Sequence, residues 1–415
     1  MKQQIDCTLI DRLAPLLVAA IVLGGLGCAK DPVSPSTPEL AAVAVAAPVA
    51  FTTVSAGGSH TCGLAGDGRV YCWGLNGNGQ LGDGTRTNRS SPKVVAGTVR
   101  FVQVSAGAYH TCALAADNRA YCWGALEGDA TGFGDDHLTP TAVLEGRRFV
   151  RLRSGSYHTC GVNPYDVAFC WGNRAFGELG GGDNYITPVR VAGGLSFRSV
   201  IAGGGFTCGV TTGNKGYCWG YNLDGALGDG TRINRSKPVA VAGGLSFRSV
   251  IAGGGLIEDL DHEGDEFVDE THACGLTTDN RAYCWGQGSY GQLGDGTFTG
   301  SRVRPFPVGG GLHFGQLIAG YYYSCGVTTT KVAYCWGQGY NGQLGNGTTN
   351  YSRNVPTKVA GGLLFAGVSA GPVGSHTCGI TTGNKIYCWG DNAFGQLGDG
   401  TTTRRFSPVK VAGQS

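Results

Sequence analysis

A chain of 415 residues with 75 glycines and only 14% charged residues has the profile of a turn-rich all-β protein, long enough for one large or two ordinary domains. Its net charge of +2 provides no global field to recruit nucleic acid or an anionic membrane surface, so a partner must be recognised locally. Apolar residues at 41% exclude a disordered chain and supply material for a core.

The N-terminus opens with a short charged stretch (Lys2, Asp6, Asp11, Arg12) and continues as a nearly uncharged apolar run from Leu13 to Gly27. This pattern predicts a secretory signal peptide over 1–27, and the shortness of the run argues against a retained membrane span. The run ends at Leu26-Gly27-Cys28, ahead of Ala29-Lys30-Asp31 and a Pro/Ser/Thr-rich stretch. It resembles a bacterial lipoprotein signal, in which the cysteine thiol is acylated, and departs from it in carrying Gly25 where an aliphatic residue is usual. Cys28 is therefore the expected lipid attachment site, and 28–50 a Pro/Ala-rich linker. The expected location is a bacterial membrane or the cell surface, with plain secretion as the alternative; either way the protein is exported.

From residue 51 onward the periodicity is that of short strands. Phe51 to Ser55 alternates and ends at Ala56-Gly57-Gly58, His60 to Leu64 forms a second run, and Val70 to Trp73 a third. A fourth follows Pro92, at Lys93 to Val95, and Ala65-Gly66-Asp67-Gly68 reads as the hairpin turn between the second and third. The same unit then recurs. All seven tryptophans stand in a Cys-Trp-Gly tripeptide, at Trp73, Trp123, Trp171, Trp219, Trp285, Trp336 and Trp389, with spacings of 50, 48, 48, 66, 51 and 53. A Gly-Gln-Leu-Gly-Asp-Gly-Thr motif or variant follows each of them except the second, where Ala130 to Asp136 lacks it, and these motifs read as turns. Residues 191–205 recur identically at 241–255. Seven four-stranded antiparallel units over 51–415 predict a seven-bladed β-propeller.

Cysteine spacing tests this expectation. Apart from Cys7 and Cys28, the cysteines form seven pairs, each ten positions apart: Cys62 with Cys72, Cys112 with Cys122, Cys160 with Cys170, Cys208 with Cys218, Cys274 with Cys284, Cys325 with Cys335, and Cys378 with Cys388. With a hairpin centred near Asp67, Cys62 and Cys72 face each other across adjacent strands, at the ~4.5 to 5.5 Å Cα separation that a disulfide can span. One hairpin disulfide per blade follows, which needs an oxidising compartment. Zinc fits worse, because its ligand pairs are usually two to four residues apart and each hairpin offers only two thiols.

The unit Val-Ser-Ala-Gly-Gly-Ser-His-Thr-Cys-Gly-Leu (54–64), with Val-Tyr-Cys-Trp-Gly (70–74) and Gly-Gln-Leu-Gly (79–82), resembles the regulator of chromosome condensation repeat family, over roughly 51–412. The resemblance implies a seven-bladed propeller and a binding function. Ring closure has two candidates: Pro408 to Ala412 is expected to complete the seventh blade, and the similar Ala42 to Ala46 to lie beside it or be disordered.

In an up-and-down blade the first-to-second and third-to-fourth connections emerge on one face. The first-to-second connections carry Tyr109, Tyr157, Phe206 and Tyr321-Tyr322-Tyr323, and Tyr109, Tyr157, Phe206 and Tyr322 are the expected partner contacts; the alternative is that several of them pack the propeller centre. The histidines His60, His110, His158, His272 and His376 recur one per unit, as structural hydrogen-bonding groups would. The fifth unit carries an acidic insertion, Leu256 to Glu270, with eight acidic residues, which leaves 31 basic and 21 acidic groups, or +10, on the rest of the chain. A solvated acidic loop is the default reading. The calcium alternative places Asp259, Asp261, Glu263, Asp265 and Glu270 at positions one, three, five, seven and twelve of a calcium loop, with Gly264 at the bend. No nucleophile is paired with a base, so no enzyme is expected and no cofactor is required. The expected function is an exported or surface-tethered scaffold that binds a protein or envelope component through its loop face. Guanine nucleotide exchange on a small GTPase, as in the founding member of the family, is the alternative, and export and disulfides oppose it.

Overall fold

Alternating apolar residues and glycine-rich turns make each unit a sheet of four strands. In blade one, Phe51–Ala56, His60–Ala65, Val70–Gly74 and Arg89–Val94 pair antiparallel in that order. The computed structural model describes residues 48–125, 136–143, 146–182, 187–257, 268–298, 300–349 and 351–415, and there the pattern repeats seven times. The first strands of the later blades are Phe101–Ala106, Arg151–Ser154, Phe197–Ala202, Phe247–Gly253, Phe314–Ala319 and Phe365–Ser369. These first strands surround a central channel of about 680 Å³. The protein is a seven-bladed β-propeller. Among the described residues no helix is long and apolar enough to cross a membrane.

The fourth strand differs from expectation in its bounds: it runs Arg89–Val94 rather than from Lys93, and Arg405–Lys410 rather than from Pro408. Proline removes a ladder donor, but this strand is the outer edge of the blade, and the register shifts between Cys72 and Gly74 so that Pro92 falls in the irregular stretch. The C-terminal strand completes blade seven, as expected, by pairing with Ile386–Gly390. Val49 forms an isolated parallel bridge with Gln414, its N–H donating to the Gly413 carbonyl at 3.0 Å, whereas Ala42 to Ala46 lies outside the described residues.

Cohesion resides between the blades. Each apolar cluster takes one face from one blade and the opposing face from the next; Leu64, Val70 and Leu81 of blade one, for example, enclose Trp123 of blade two. The Trp123 indole Nε1 donates to the Gln80 carbonyl at 2.9 Å, and Gly82 sits against the ring, where a Cβ would come within 2.6 Å of Nε1. Gly82 also has φ 66°, so both conformation and space require glycine. The Gly-Gln-Leu-Gly motif is therefore more than a turn: it is the seat for the neighbouring tryptophan. Equivalent bonds join Trp73 to Gln396, Trp219 to Glu178, Trp285 to Ala226, Trp336 to Gln292 and Trp389 to Gln343. The Trp73 bond and the cluster of Phe51, Trp73, Ile386 and Leu397 close the ring with the same contacts used elsewhere. Trp171 has no such partner among the described residues, and the blade-two segment 126–135 lies outside them.

All seven expected cysteine pairs are disulfides, one per blade. Cys62 bonds Cys72, Cys112 bonds Cys122, Cys160 bonds Cys170 and Cys208 bonds Cys218. In the last three blades Cys274 bonds Cys284, Cys325 bonds Cys335 and Cys378 bonds Cys388. Each pair stands directly opposed in the register of the second and third strands. The Cα–Cα separations, 4.0 to 4.1 Å, are shorter than the ~4.5 to 5.5 Å expected for facing residues of a regular ladder, because the bond draws the two strands together. The sulfurs are buried where blades meet, as in the contact of Cys62 Sγ with Thr111 Oγ1 of the next blade at 3.9 Å. Each staple closes a short loop, worth about 3 kcal/mol in the chain-entropy account.

Candidate interaction face

Six of the seven first strands end on a small residue followed by glycine, Ser369 of the seventh being followed by Ala370-Gly371, and these turns converge at the loop end of the channel. Backbone N–H groups of one turn donate to carbonyls of the next: Gly58 to Gly107 at 3.0 Å, Ala108 to Gly155 at 3.1 Å, Ser156 to Gly203 at 3.0 Å and Gly254 to Gly320 at 3.0 Å. These bonds form a collar made of main chain, from which the aromatic residues project.

Tyr109 and Tyr157, from adjacent blades, have ring centroids 5.9 Å apart, and Tyr109 is 40% exposed. Tyr322 is half-buried between Tyr321, at 3.7 Å, and Tyr290, at 4.7 Å. Burial, and then a hydrogen bond with Tyr321, push its phenol above the ordinary tyrosine value. Phe206 is a correction: it is fully buried and offers nothing to a partner. It stands one residue further along than Tyr109 and Tyr157, at the start of the second strand, where other blades have histidine. Tyr323 occupies the same position in blade six, and its hydroxyl donates to the His376 carbonyl at 2.7 Å.

The histidine row is structural. His60 Nε2 meets Thr111 Oγ1 at 2.8 Å, and His110, His158, His272 and His376 make the same reach to Thr159, Thr207, Ser324 and Thr61. Because the Thr111 hydroxyl gives its proton to the Gln80 carbonyl, the imidazole Nε2 must be the donor. Burial holds His60, His158 and His272 down at about 3, and His110 and His376 at about 4. They are neutral, and none is poised for proton transfer near neutral pH.

The acidic insertion interrupts the first-to-second connection of blade five, its base paired as Leu256–Ile257 with Val268–Asp269. Asp259, Asp261, Glu263 and Asp265 lie outside the described residues. Glu270 lies within them: burial, and then the Asp224 carboxylate, push it up to about 7. Asp224 Oδ2 accepts from the Thr271 N–H at 3.0 Å. Among the described residues no group of three or more His, Cys, Asp or Glu is placed to hold a metal ion.

A set of candidates was missed. The third-to-fourth connections, on the same face, expose Leu223, Ile233, Phe298, Tyr340, Tyr351 and Phe394, by 39 to 73%. Tyr340 and Tyr351 stack at 5.8 Å. The available signal was an aromatic residue just ahead of Gly-Gln-Leu-Gly in several repeats, at Tyr290, Tyr340 and Phe394, and it was obscured by reading these segments only as turns.

Comparison with known proteins accords with this geometry. Residues 22–372, more than half of the chain, match the RCC1-like domain. The chain belongs to the RCC1-like family. Single regulator of chromosome condensation (RCC1) repeats also match at 365–396 and 384–415. Human E3 ubiquitin-protein ligase HERC2 is 36% identical over 141 residues, 33% of this chain and 3% of that protein. The ultraviolet-B receptor UVR8 of Arabidopsis thaliana is 33% identical over 144 residues, 34% of this chain and 32% of the receptor. This RCC1-like chain thus spans under a third of the length of these curated relatives. Human WBSCR16 shares its fold with a TM-score of 0.72 at 19% identity, covering 83% of this chain and 94% of that one. Prp20p of Saccharomyces cerevisiae does so with a TM-score of 0.66 at 23% identity, covering 77% and 80%.

Proposed function

We propose that this RCC1-like propeller is an exported, surface-tethered interaction scaffold that binds a protein or cell-envelope component through its loop face. The observation that carries the reading is the set of aromatic side chains, Tyr109 with Tyr157 and Tyr322 with Tyr290, raised on a main-chain collar in a ring stapled by seven disulfides. Rigid aromatic anchors bury large area at low entropic cost, and a covalently fixed frame adds little further ordering cost on binding. Yeast Prp20p, a propeller of this fold, has binding properties toward Gsp1p and histones, which supports the use of such a ring as a protein-binding surface. Structural disulfides belong to oxidising compartments, and the apolar run ending at Cys28 supplies a route there and a lipid anchor.

Two measurements test this. Intact-protein mass from an exporting host is expected to show a diacylglyceryl group on Cys28 and fourteen thiols released only by reduction; an unprocessed N-terminus with free thiols would defeat export and favour a cytoplasmic exchange-factor role. Crosslinking capture from envelope extract is expected to yield a partner with the wild type and to lose it with Tyr109→Ala, Tyr157→Ala and Tyr322→Ala combined. Undiminished capture by the triple variant would defeat the loop-face assignment.

A further inference from the structure

The central channel differs from its surroundings in one blade. Two and four residues after the phenylalanine that leads each blade, which is Phe149 in blade three, the other six blades place Thr53, Gln103, Ser199, Ser249, Gln316, Gly367 and Ser55, Ser105, Ile201, Ile251, Ile318, Ser369, respectively. Blade three alone places arginine at both, Arg151 and Arg153, and both line the channel. Two residues apart on one strand, they project to the same side of the sheet. Among the described residues, no carboxylate lines the channel.

The polar neighbours are engaged elsewhere. Gln103 bonds the Leu152 carbonyl and N–H at 2.6 and 3.2 Å, and Gln316 does the same for Val368 at 2.9 and 3.0 Å. Ser105 Oγ accepts from the Ser154 N–H at 2.9 Å. Arg153 gives one N–H to the Leu152 carbonyl at 3.0 Å and has no carboxylate partner among the described residues. Its side chain is exposed to the channel, and desolvation by the surrounding protein, followed by the Arg151 charge, holds it below the ordinary arginine value. Two like charges in a pore, without counter-charge among the described residues, are an unfavourable arrangement that an anion would relieve. Beside them stand Ile201, Ile251 and Ile318, which give the adjoining arc of wall an apolar surface.

We propose that the central channel is a binding site for a small organic carboxylate, its oxygens held by Arg151 and Arg153 and its apolar part against Ile201, Ile251 and Ile318. The volume, about 680 Å³, is within the ~300 to 1,000 Å³ range of small-molecule sites. This assignment is independent of the loop face and of export.

The test is calorimetric titration of the full, oxidised chain with hexanoate, hexanol and inorganic phosphate. Hexanoate is expected to bind saturably at one site, and hexanol at least about tenfold more weakly, because the charge-assisted bonds are lost. The double variant Arg151→Gln with Arg153→Gln is expected to lose hexanoate affinity by at least about tenfold, with thermal unfolding unchanged or raised by relief of the like-charge pair. The single variant Arg151→Gln, at an exposed position, is expected to lose an intermediate amount. Absence of hexanoate binding, or binding indifferent to both variants, would overturn the site. Phosphate binding as tight as hexanoate would overturn the apolar half of the assignment.

Discussion

Acidification probes the histidine row directly. The five imidazoles titrate at about 3 to 4 in the folded protein, against an ordinary 6.5 in the unfolded chain. A depressed folded value means that the unfolded chain binds more protons, so stability is fully present above pH 6.5 and is lost as pH falls toward 3 to 4. Glu178 and Glu270, raised to about 7, act in the opposite sense, because the folded state holds their protons between 4.5 and 7. At pH 5 the unfolded histidines take up about five protons and the two folded carboxyls hold up to about one and a half more than when unfolded, leaving a difference of about three, which the burial-raised Asp224 reduces, and a slope of at most about 4 kcal/mol per pH unit. Averaged between pH 6 and pH 5, the loss is at most about 3 kcal/mol. Urea unfolding of the oxidised protein, followed by tryptophan fluorescence at the two pH values, measures it. Equal or greater stability at pH 5, or resonances assigned to these five imidazoles titrating near 6.5 in the folded protein, would show that the row is not buried and neutral.

Three further outcomes follow from the blade contacts. Glu178, 1% exposed, occupies the position where other motifs have glutamine and accepts from the Phe176 N–H as Gln80 accepts from Asn78. Glu178→Gln is expected to stabilise at pH 8 by up to about 3 kcal/mol and to give no gain below pH 4.5, measured by unfolding across that range. Gly82→Ala is expected to destabilise by at least about 2 kcal/mol, from the left-handed φ and the displaced Trp123 ring, and to shift tryptophan emission. Replacing both Cys112 and Cys122 by serine is expected to cost about 3 kcal/mol or more in chemical unfolding, since both positions are fully buried.

Seven tryptophans, seven cysteine pairs ten apart and a common turn motif specify the blade, its count and its staples, because hairpin register and strand period are local properties that recur within about twelve residues. What spacing cannot convey is which blade a residue touches. Tyr109 and Phe206 look alike in a list of loop aromatics, yet one is exposed and the other fully buried, since a shift of one residue at a strand start exchanges the loop for the interior. Gly-Gln-Leu-Gly reads as a turn within its own repeat, and its role as the seat of Trp123 emerges only where blade two meets blade one. Arg151 and Arg153 are two ordinary cations along the chain; closing seven sheets into a ring is what gathers them into one channel with Ile201, Ile251 and Ile318, residues as much as 167 positions distant. Local pattern determines each blade, and long-range packing between blades determines which side chains share an enclosure.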